Sequence, residues 1–493
     1  MSIQEVEGPF GAPVPASEEG AQLAADELNL FDATAVAVSS VAPAYSLAAT
    51  VGLVIATAGV GLFAPSVVIF SFIPVVFIAY AYFHMNRKDP NCGASYAWLS
   101  KLVRPSMGWF NGWIQVAVSV IFCMAAPLLA GEYTLTFAQK QGWIAESTAN
   151  SFWTATLVGA AWLIFITFIC VCGIRWTVDF QWVLVIIEYV CVVGFSVGGI
   201  IKVIASHPAG STSFNLQWLN PLNISGFDGL AGGVALGVFF FWGWDTSVNL
   251  NEETKNKTHT PGRAAVISMW LLLVVYVMNF VAIQMLLTPK QIADNSDDIL
   301  FFFGGQLFGS WAGFVMIIAV LTSTVATTQT TLLPSARIAL SMSRDKVFPK
   351  FFGTISPKFL TPAIGTMVLA AIAFIGMMVN AGSPTVNTVF SNLISNIGVL
   401  VAFYYGVTGI TCAWAFRKVA FQKASFLFIG IIAPLLSGIF LLCVGFWVIK
   451  TAGWAGLPDI IILVGGIPLV LIARFTTKGD FFKVKPIAYS SIE

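Results

Sequence analysis

Charge is what this sequence has least of. Lys, Arg, Asp and Glu make up only 10% of its 493 residues, against about 25% in an ordinary soluble domain. A water-dissolved globular domain is thereby excluded. The few charges nearly cancel, at a formal net of +1, and no basic stretch stands out, so no nucleic-acid partner is expected. Histidine is scarce: His84, His207 and His259 all lie in or beside loops. With no nucleophile, base and orienting group in one pattern, an enzyme reading has nothing to rest on. The seven cysteines show no ligand-like spacing. Cys170 and Cys172 are two apart and point to different sides of a helix. Cys123, Cys191, Cys412 and Cys443 also fall inside apolar runs, so these thiols read as small buried hydrophobes and no metal is expected.

The first 29 residues lack Lys, Arg and an apolar core, which excludes a secretory signal peptide. Residues 1–29 carry Glu5, Glu7, Glu18, Glu19, Asp26 and Glu27 among Pro and Gly, and read as a disordered cytoplasmic tail.

What is present is hydrocarbon-compatible sequence, 57% hydrophobic, with a mean hydropathy of +0.85. Apolar runs of about 20 residues read as membrane-spanning helices. They fall at roughly 33–59, 62–84, 108–138, 151–173, 178–205, 229–251, 264–288, 307–340, 362–381, 385–416, 425–449 and 456–474, which makes twelve. Cytoplasmic loops retain Lys and Arg. With the N-terminus inside, Lys140, Lys202, Lys290 and Lys450 face outward and the other twenty basic residues face inward. Both termini are therefore expected in the cytoplasm of a multi-pass protein of the cell membrane.

Two spans contain breaks. The first holds "SSVAPAYSL" (39–47), where Pro43 supplies no N–H and clashes with the preceding turn. The sixth runs "FFFWGWDTSVNLNEETKNK" (239–257), with Gly243 between two tryptophans and Asp245 directly after. Irregular backbone at membrane depth survives only when buried in protein or lining a cavity. Interrupted helices opening two successive sets of five point to a transporter binding site, and an intramembrane carboxylate points the same way.

Three stretches carry a family resemblance. "CGASYAWLSKLVRPSMGWFNGW" (92–113) resembles the Gly-x-x-Tyr…Gly-x-x-x-Gly-[Trp/Phe] loop of the amino acid–polyamine–organocation (APC) transporters. The 239–257 stretch resembles their sixth-helix signature, and "PSARIALSMSRDKVFPKFF" (334–352) resembles the segment closing their eighth helix. The resemblance covers about residues 30 to 475. It implies an all-α membrane fold of 12 transmembrane helices: a five-plus-five inverted-repeat core (30–416) with discontinuous helices 1 and 6, two accessory helices (417–475) and a cytoplasmic C-terminal tail (476–493). It also implies secondary transport by alternating access of an amino acid or amine, bound between helices 1 and 6. A substrate carboxylate is held, in that family, by backbone N–H groups at helix breaks, which agrees with the partial positive charge of helix N-termini.

Two features depart from the family pattern. Its glycine-rich Gly-Ser-Gly is replaced here by "SVAPAYS", and Glu188 stands about where many members place a lysine facing helices 1 and 8. The substrate set expected from the first break is Ser40, Val41, Ala42, Ala44, Tyr45 and Ser46, with Ala44, Tyr45 or Ser46 offering amides to a carboxylate. From the sixth span it is Phe241, Trp242, Gly243, Trp244 and Asp245, one tryptophan walling the pocket and the other packing elsewhere. Asp245 reads either as a receptor for a substrate ammonium or as a cap on the loose helix end. Asn392 and Asn396, with Ser395, add a polar stripe from helix 10. Glu132 and Tyr133 read as an outer rim or gate, and Glu252 and Glu253 as an inner salt-bridge gate or solvated acids. Glu188 is the candidate proton carrier. The hydroxyl-rich "TSTVATTQTT" (322–331) reads as helix–helix hydrogen bonding or, through Thr322 and Ser323, as a cation site. No cofactor is expected; coupling to H+ leads, with Na+ as the alternative. The leading function is an amino acid permease, the alternative a polyamine or amine carrier, and the remote one a channel or membrane scaffold.

Overall fold

The protein was analysed as a computed structural model, which describes residues 21–380, 386–477 and 479–491, without the side chains of 227, 297, 386–396, 452, 454 and 455. In chain order the helices are α1 (Leu30–Val41), α2 (Pro43–Ala56), α3 (Ala64–Lys88), α4 (Ser95–Leu102), α5 (Pro105–Lys140), α6 (Glu146–Ala149) and α7 (Phe152–Val171). Next come α8 (Ile174–Ser206), α9 (Phe227–Phe240), α10 (Thr246–Asn249), α11 (Thr260–Leu286), α12 (Pro289–Asp294) and α13 (Ile299–Phe308). The last are α14 (Ser310–Arg344), α15 (Ala363–Val379), α16 (Val386–Ala415), α17 (Ala424–Phe426), α18 (Ala433–Ala452) and α19 (Leu457–Thr476). Among the described residues the fold is all-helical, and ten helices are long and apolar enough to cross a membrane. The other two expected spans correspond to the shorter α15 and to α9, which stops at the break before α10. This is a multi-pass membrane protein.

Long α5 and α14 pack along each other, and α1 lies among α8, α11 and α14. Small residues set how closely helices approach. A Cβ on Gly131 of α5 would sit 2.1 Å from the Ala155 carbonyl of α7, and one on Gly159 of α7 would sit 2.4 Å from the Pro127 carbonyl. Most cysteines are buried as expected, but Cys172 is half-buried and Cys443 is exposed.

The first break follows from Pro43. α1 ends on Ala42, which is left-handed at φ 51° and ψ 70°. Proline disfavours right-handed helix at the residue before it, and a non-glycine residue rarely adopts positive φ. Ser39 loses its helical donor to the proline and accepts instead from the Ala42 amide at 3.1 Å. The second break uses Gly243 at φ +113°, where a Cβ would meet the Ser40 carbonyl oxygen at 2.7 Å. The two breaks touch, so glycine is required both for its backbone angle and for its lack of a side chain.

One end of the bundle holds the first and last described residues and is tied shut by polar contacts. Arg337 of α14 donates to both carboxylate oxygens of Glu253, from Nε at 2.9 Å and Nη2 at 2.8 Å, and both side chains are fully buried. The Glu253 carbonyl accepts the Glu27 and Leu28 amides, and the Lys255 amide donates to Leu28, so the strand-like lead into α1 runs beside the exit of α10. Residues 21–29 are thus not disordered, contrary to the sequence expectation: Leu23 and Leu28 are buried there and the backbone finds partners. Alongside, Arg344 pairs with Glu252 at 2.8 Å and Asn249 donates to the Cys92 carbonyl at 2.9 Å. Tyr96 donates to Asp345 at 2.6 Å. Asp345 caps α14 outside the span; burial pushes its carboxyl up to about 6, against the lowering effect of the Tyr96 bond. The C-terminal segment closes over the same end, its Ile487 and Tyr489 amides donating to Lys101 and Ala415.

Removing one partner of a buried ion pair strands a charge, at a cost of about 3–5 kcal/mol, whereas replacing both with apolar groups is often neutral. Arg337→Met alone should therefore lower the thermal unfolding midpoint sharply, and Arg337→Met with Glu253→Leu should recover most of the loss. Equal midpoints for wild type and the single variant would show that this pair does not hold the end shut.

Candidate functional site

The two breaks and the middle of α5 and α14 line a small, partly open cavity. Ser40, Trp242, Gly243, Asp245 and Thr246 come from the breaks, Gln115 and Ser119 from α5, Thr331 and Pro334 from α14, and Tyr404 from α16. Asn249 and Ile338 line the side nearest the tied end. On the other side Trp242 meets Phe122 edge-on at 5.3 Å, and Phe122 meets Tyr45 at 5.8 Å.

Asp245 is buried and faces this space. Its Oδ1 accepts from the Tyr405 hydroxyl at 2.9 Å and its Oδ2 from the Tyr404 hydroxyl at 3.2 Å. Tyr404 in turn accepts from the Trp242 indole at 2.7 Å. Among the described ion pairs none involves Asp245. The carboxylate is held by neutral donors, in a wall that lacks a protein cation. Trp242 and Trp244 divide as the sequence implied: Trp242 lines the cavity, while Trp244 is fully buried. Trp244 is stacked on Tyr405 at 5.2 Å and edge-on to Tyr82 at 5.0 Å. Phe241 faces away as well, packed against Phe72 and Tyr276.

The amides of the first break are engaged. Ala44 donates to Glu188 Oε1 at 2.9 Å, Tyr45 to the Ser323 hydroxyl at 3.1 Å, and Ser46 to the Ala42 carbonyl at 2.8 Å. Ser323 donates to the same Glu188 oxygen at 2.7 Å. The expectation that Ala44, Tyr45 or Ser46 presents a free N–H to a substrate carboxylate is corrected: the chain's own carboxylate occupies the start of α2. Glu188 thereby ties α8 to α2 and α14. Its Oε2 is buried and has no hydrogen-bond partner among the described residues. The break's carbonyls are also taken up. Ser40 accepts from Thr327 at 2.8 Å, and Val41 accepts from Ser46 at 2.9 Å and from Tyr276 at 3.4 Å.

Thr322 departs from expectation. Its hydroxyl returns to the Ile318 and Ala319 carbonyls of its own helix, since neighbouring helical residues point about 100° apart and Ser323 takes the inward direction. Thr327, inside the hydroxyl-rich run but not singled out, is the residue that meets the first break. Thr246 links all three elements, bonding the Ser40 hydroxyl at 3.0 Å and donating to the Thr330 carbonyl at 3.1 Å. That carbonyl is available because Pro334, four residues on, has no N–H to give it. Tyr404 and Tyr405 were missed altogether, since nothing in "AFYYGV" separates them from ordinary aromatic bulk. Asn392 and Asn396 lie outside the residues whose side chains are described. Tyr133 lines a second cavity at the opposite end of the bundle, and Glu252 and Glu253 both belong to the tied end.

Similarity to known proteins agrees with this architecture. Residues 28–467 match the family described as amino acid permease. The low-affinity putrescine importer PlaP of Escherichia coli is 25% identical over 363 residues, covering 72% of this chain and 74% of PlaP. The branched-chain amino acid permease BcaP of Lactococcus lactis is 24% identical over 342 residues, covering 68% and 70%. The vacuolar cationic amino acid transporter 4 of Arabidopsis thaliana is 24% identical over 350 residues, covering 67% and 56%. These relatives are transporters by name, and with a family match over most of its length this chain belongs to the amino acid permease family of APC membrane transporters.

Proposed function

We propose that this protein is a secondary-active carrier of an organic amine, working by alternating access, with the substrate ammonium received by Asp245. One observation carries the reading: a buried carboxylate in the cavity wall is held by two tyrosine hydroxyls and has no cationic partner among the described residues. An uncompensated charge at membrane depth is costly, and a bound ammonium supplies what the site lacks. The complementary place, where a substrate carboxylate would meet the amides of the first break, is filled by Glu188. An amine without a carboxylate suits both features better than an amino acid does, so the order of the two sequence readings is reversed. That one relative is a putrescine importer supports this choice. The excess of Lys and Arg at the tied end supports a cytoplasmic orientation for it.

Coupling is assigned to Glu188. Protonated, it still joins Ala44 and Ser323 as a neutral group; ionised, it carries an unpaired charge in a buried junction between α2, α8 and α14. A proton that binds one arrangement of these helices better than the other shifts their populations, and linkage to substrate binding makes that shift transport.

Three outcomes are expected. Asp245→Asn keeps the side-chain shape and one acceptor oxygen but loses the charge, and should weaken binding of 1,4-diaminobutane by about tenfold or more, as for one lost charged hydrogen bond; undiminished binding would reject the ammonium assignment. Gly243→Val should give inserted protein that binds no amine, because its Cβ would strike Ser40, and normal binding would put the site elsewhere. Glu188→Gln in liposomes should preserve exchange while abolishing accumulation driven by a pH gradient. Persistent pH-driven accumulation would move the coupling group to another residue.

A further inference from the structure

The opposite end of the bundle contains an arrangement that neither the central cavity nor the tied end uses. The ammonium of Lys140, the last residue of α5, lies 3.6 Å from the Asp298 carboxylate and 4.0 Å from the centre of the Phe301 ring. Carboxylate and ring face together form a cradle for a primary ammonium, held by charge and by the ring quadrupole. Asp298 and Phe301 also line a second, small and partly open cleft, whose other walls include Met316, Ile317, Val320 and Tyr133. The cradle thus opens onto apolar surface of a kind that suits an alkyl chain. Lys140 and Asp298 side chains keep 27% and 40% exposure, so solutes reach the pair. A partly exposed ion pair contributes little to stability, and another ammonium can replace one that is tethered so weakly.

The geometry points to a second binding site, at this end, for alkylammonium ions, in which Lys140 is a built-in competitor occupying the place of the ligand's head group. An incoming alkylamine sets its ammonium between Asp298 and Phe301 and its chain against Met316, Ile317 and Val320, while the Lys140 head swings into solvent. This does not depend on what the central cavity carries. It provides a loading site at the mouth opposite the tied end, selective for cations with an apolar tail.

The test measures equilibrium binding of radiolabelled hexylamine to the full-length protein in lipid nanodiscs, in an Asp245→Asn background to remove the central carboxylate. A tethered competitor reduces apparent affinity by the fraction of time it leaves the site free, so Lys140→Met should tighten binding by about tenfold if the lysine occupies the cradle nine-tenths of the time. Lys140→Arg, which keeps a cation, should bind as weakly as the background. Adding Asp298→Asn to Lys140→Met should abolish the gain, and butylamine should compete where butan-1-ol does not. Affinity unchanged by Lys140→Met in monodisperse protein, a gain that survives Asp298→Asn, or equal competition by the alcohol would each reduce the pair to a structural contact. None of those results depends on whether Asp245→Asn alters uptake, so this site and the central one stand or fall separately.

Discussion

A broken helix at membrane depth must find partners for every backbone group that the break releases, because lipid offers none. That constraint organises the centre of this molecule. Around Pro43 the Ser40 carbonyl is met by Thr327, the Val41 carbonyl by Ser46 and Tyr276, the Ala44 amide by Glu188 and the Tyr45 amide by Ser323. Each partner comes from a different part of the chain or from beyond the break, so the first helix is fastened to α8, α11 and α14 at one level. The sixth helix completes the junction through Gly243, whose missing side chain lets Ser40 approach, and through Thr246, which uses the carbonyl left free by Pro334. Two prolines withhold amide donors and one glycine turns the backbone, and hydroxyls and one carboxylate satisfy the groups left over.

The same junction separates two kinds of polarity. Glu188 sets its carboxyl against an amide within the fold, whereas Asp245 is braced by Tyr404 and Tyr405 with its carboxyl at the cavity. One acid serves the scaffold and the other faces the cavity. A motion that tilts the first helix cannot leave the Ala44–Glu188–Ser323 contacts unaltered, which is the physical basis of the coupling proposed for that carboxyl. At the tied end Arg337, Glu253 and the 21–29 segment hold the leads of helices 1 and 6 together. Opening there would require solvating a buried ion pair, whereas the pair at the opposite end, Lys140 with Asp298, is already partly in solvent. The two ends differ in the burial of their ion pairs, and hence in what opening each one involves.

The three stretches by which the chain resembles its family do a common job. Gly93 packs against Ser341, and Tyr96 bonds Asp345; Asn249 reaches Cys92, and Arg337 holds Glu253. Residues 92–113, 239–257 and 334–352 therefore converge on the tied end, with only part of the middle stretch reaching the cavity. Recognition from such motifs identifies the transport machine better than its cargo.

Span positions, the two breaks, the depth of Glu188 and Asp245 and the bias of basic charge were all legible in the amino-acid sequence, because lipid imposes its demands residue by residue. Hydropathy fixes where a helix can lie, proline and glycine act on their own backbone, and a carboxylate in an apolar run is conspicuous without any neighbour. Partnership was not legible. That Ser323 rather than Thr322 meets Glu188, that Tyr404 and Tyr405 brace Asp245, that Ala44 is already occupied and that Lys140 rests on Phe301 all depend on helix rotation and on contacts between residues more than a hundred positions apart. Those are decided by the packing of whole helices against one another, a property of the assembled bundle that no local stretch of chain contains.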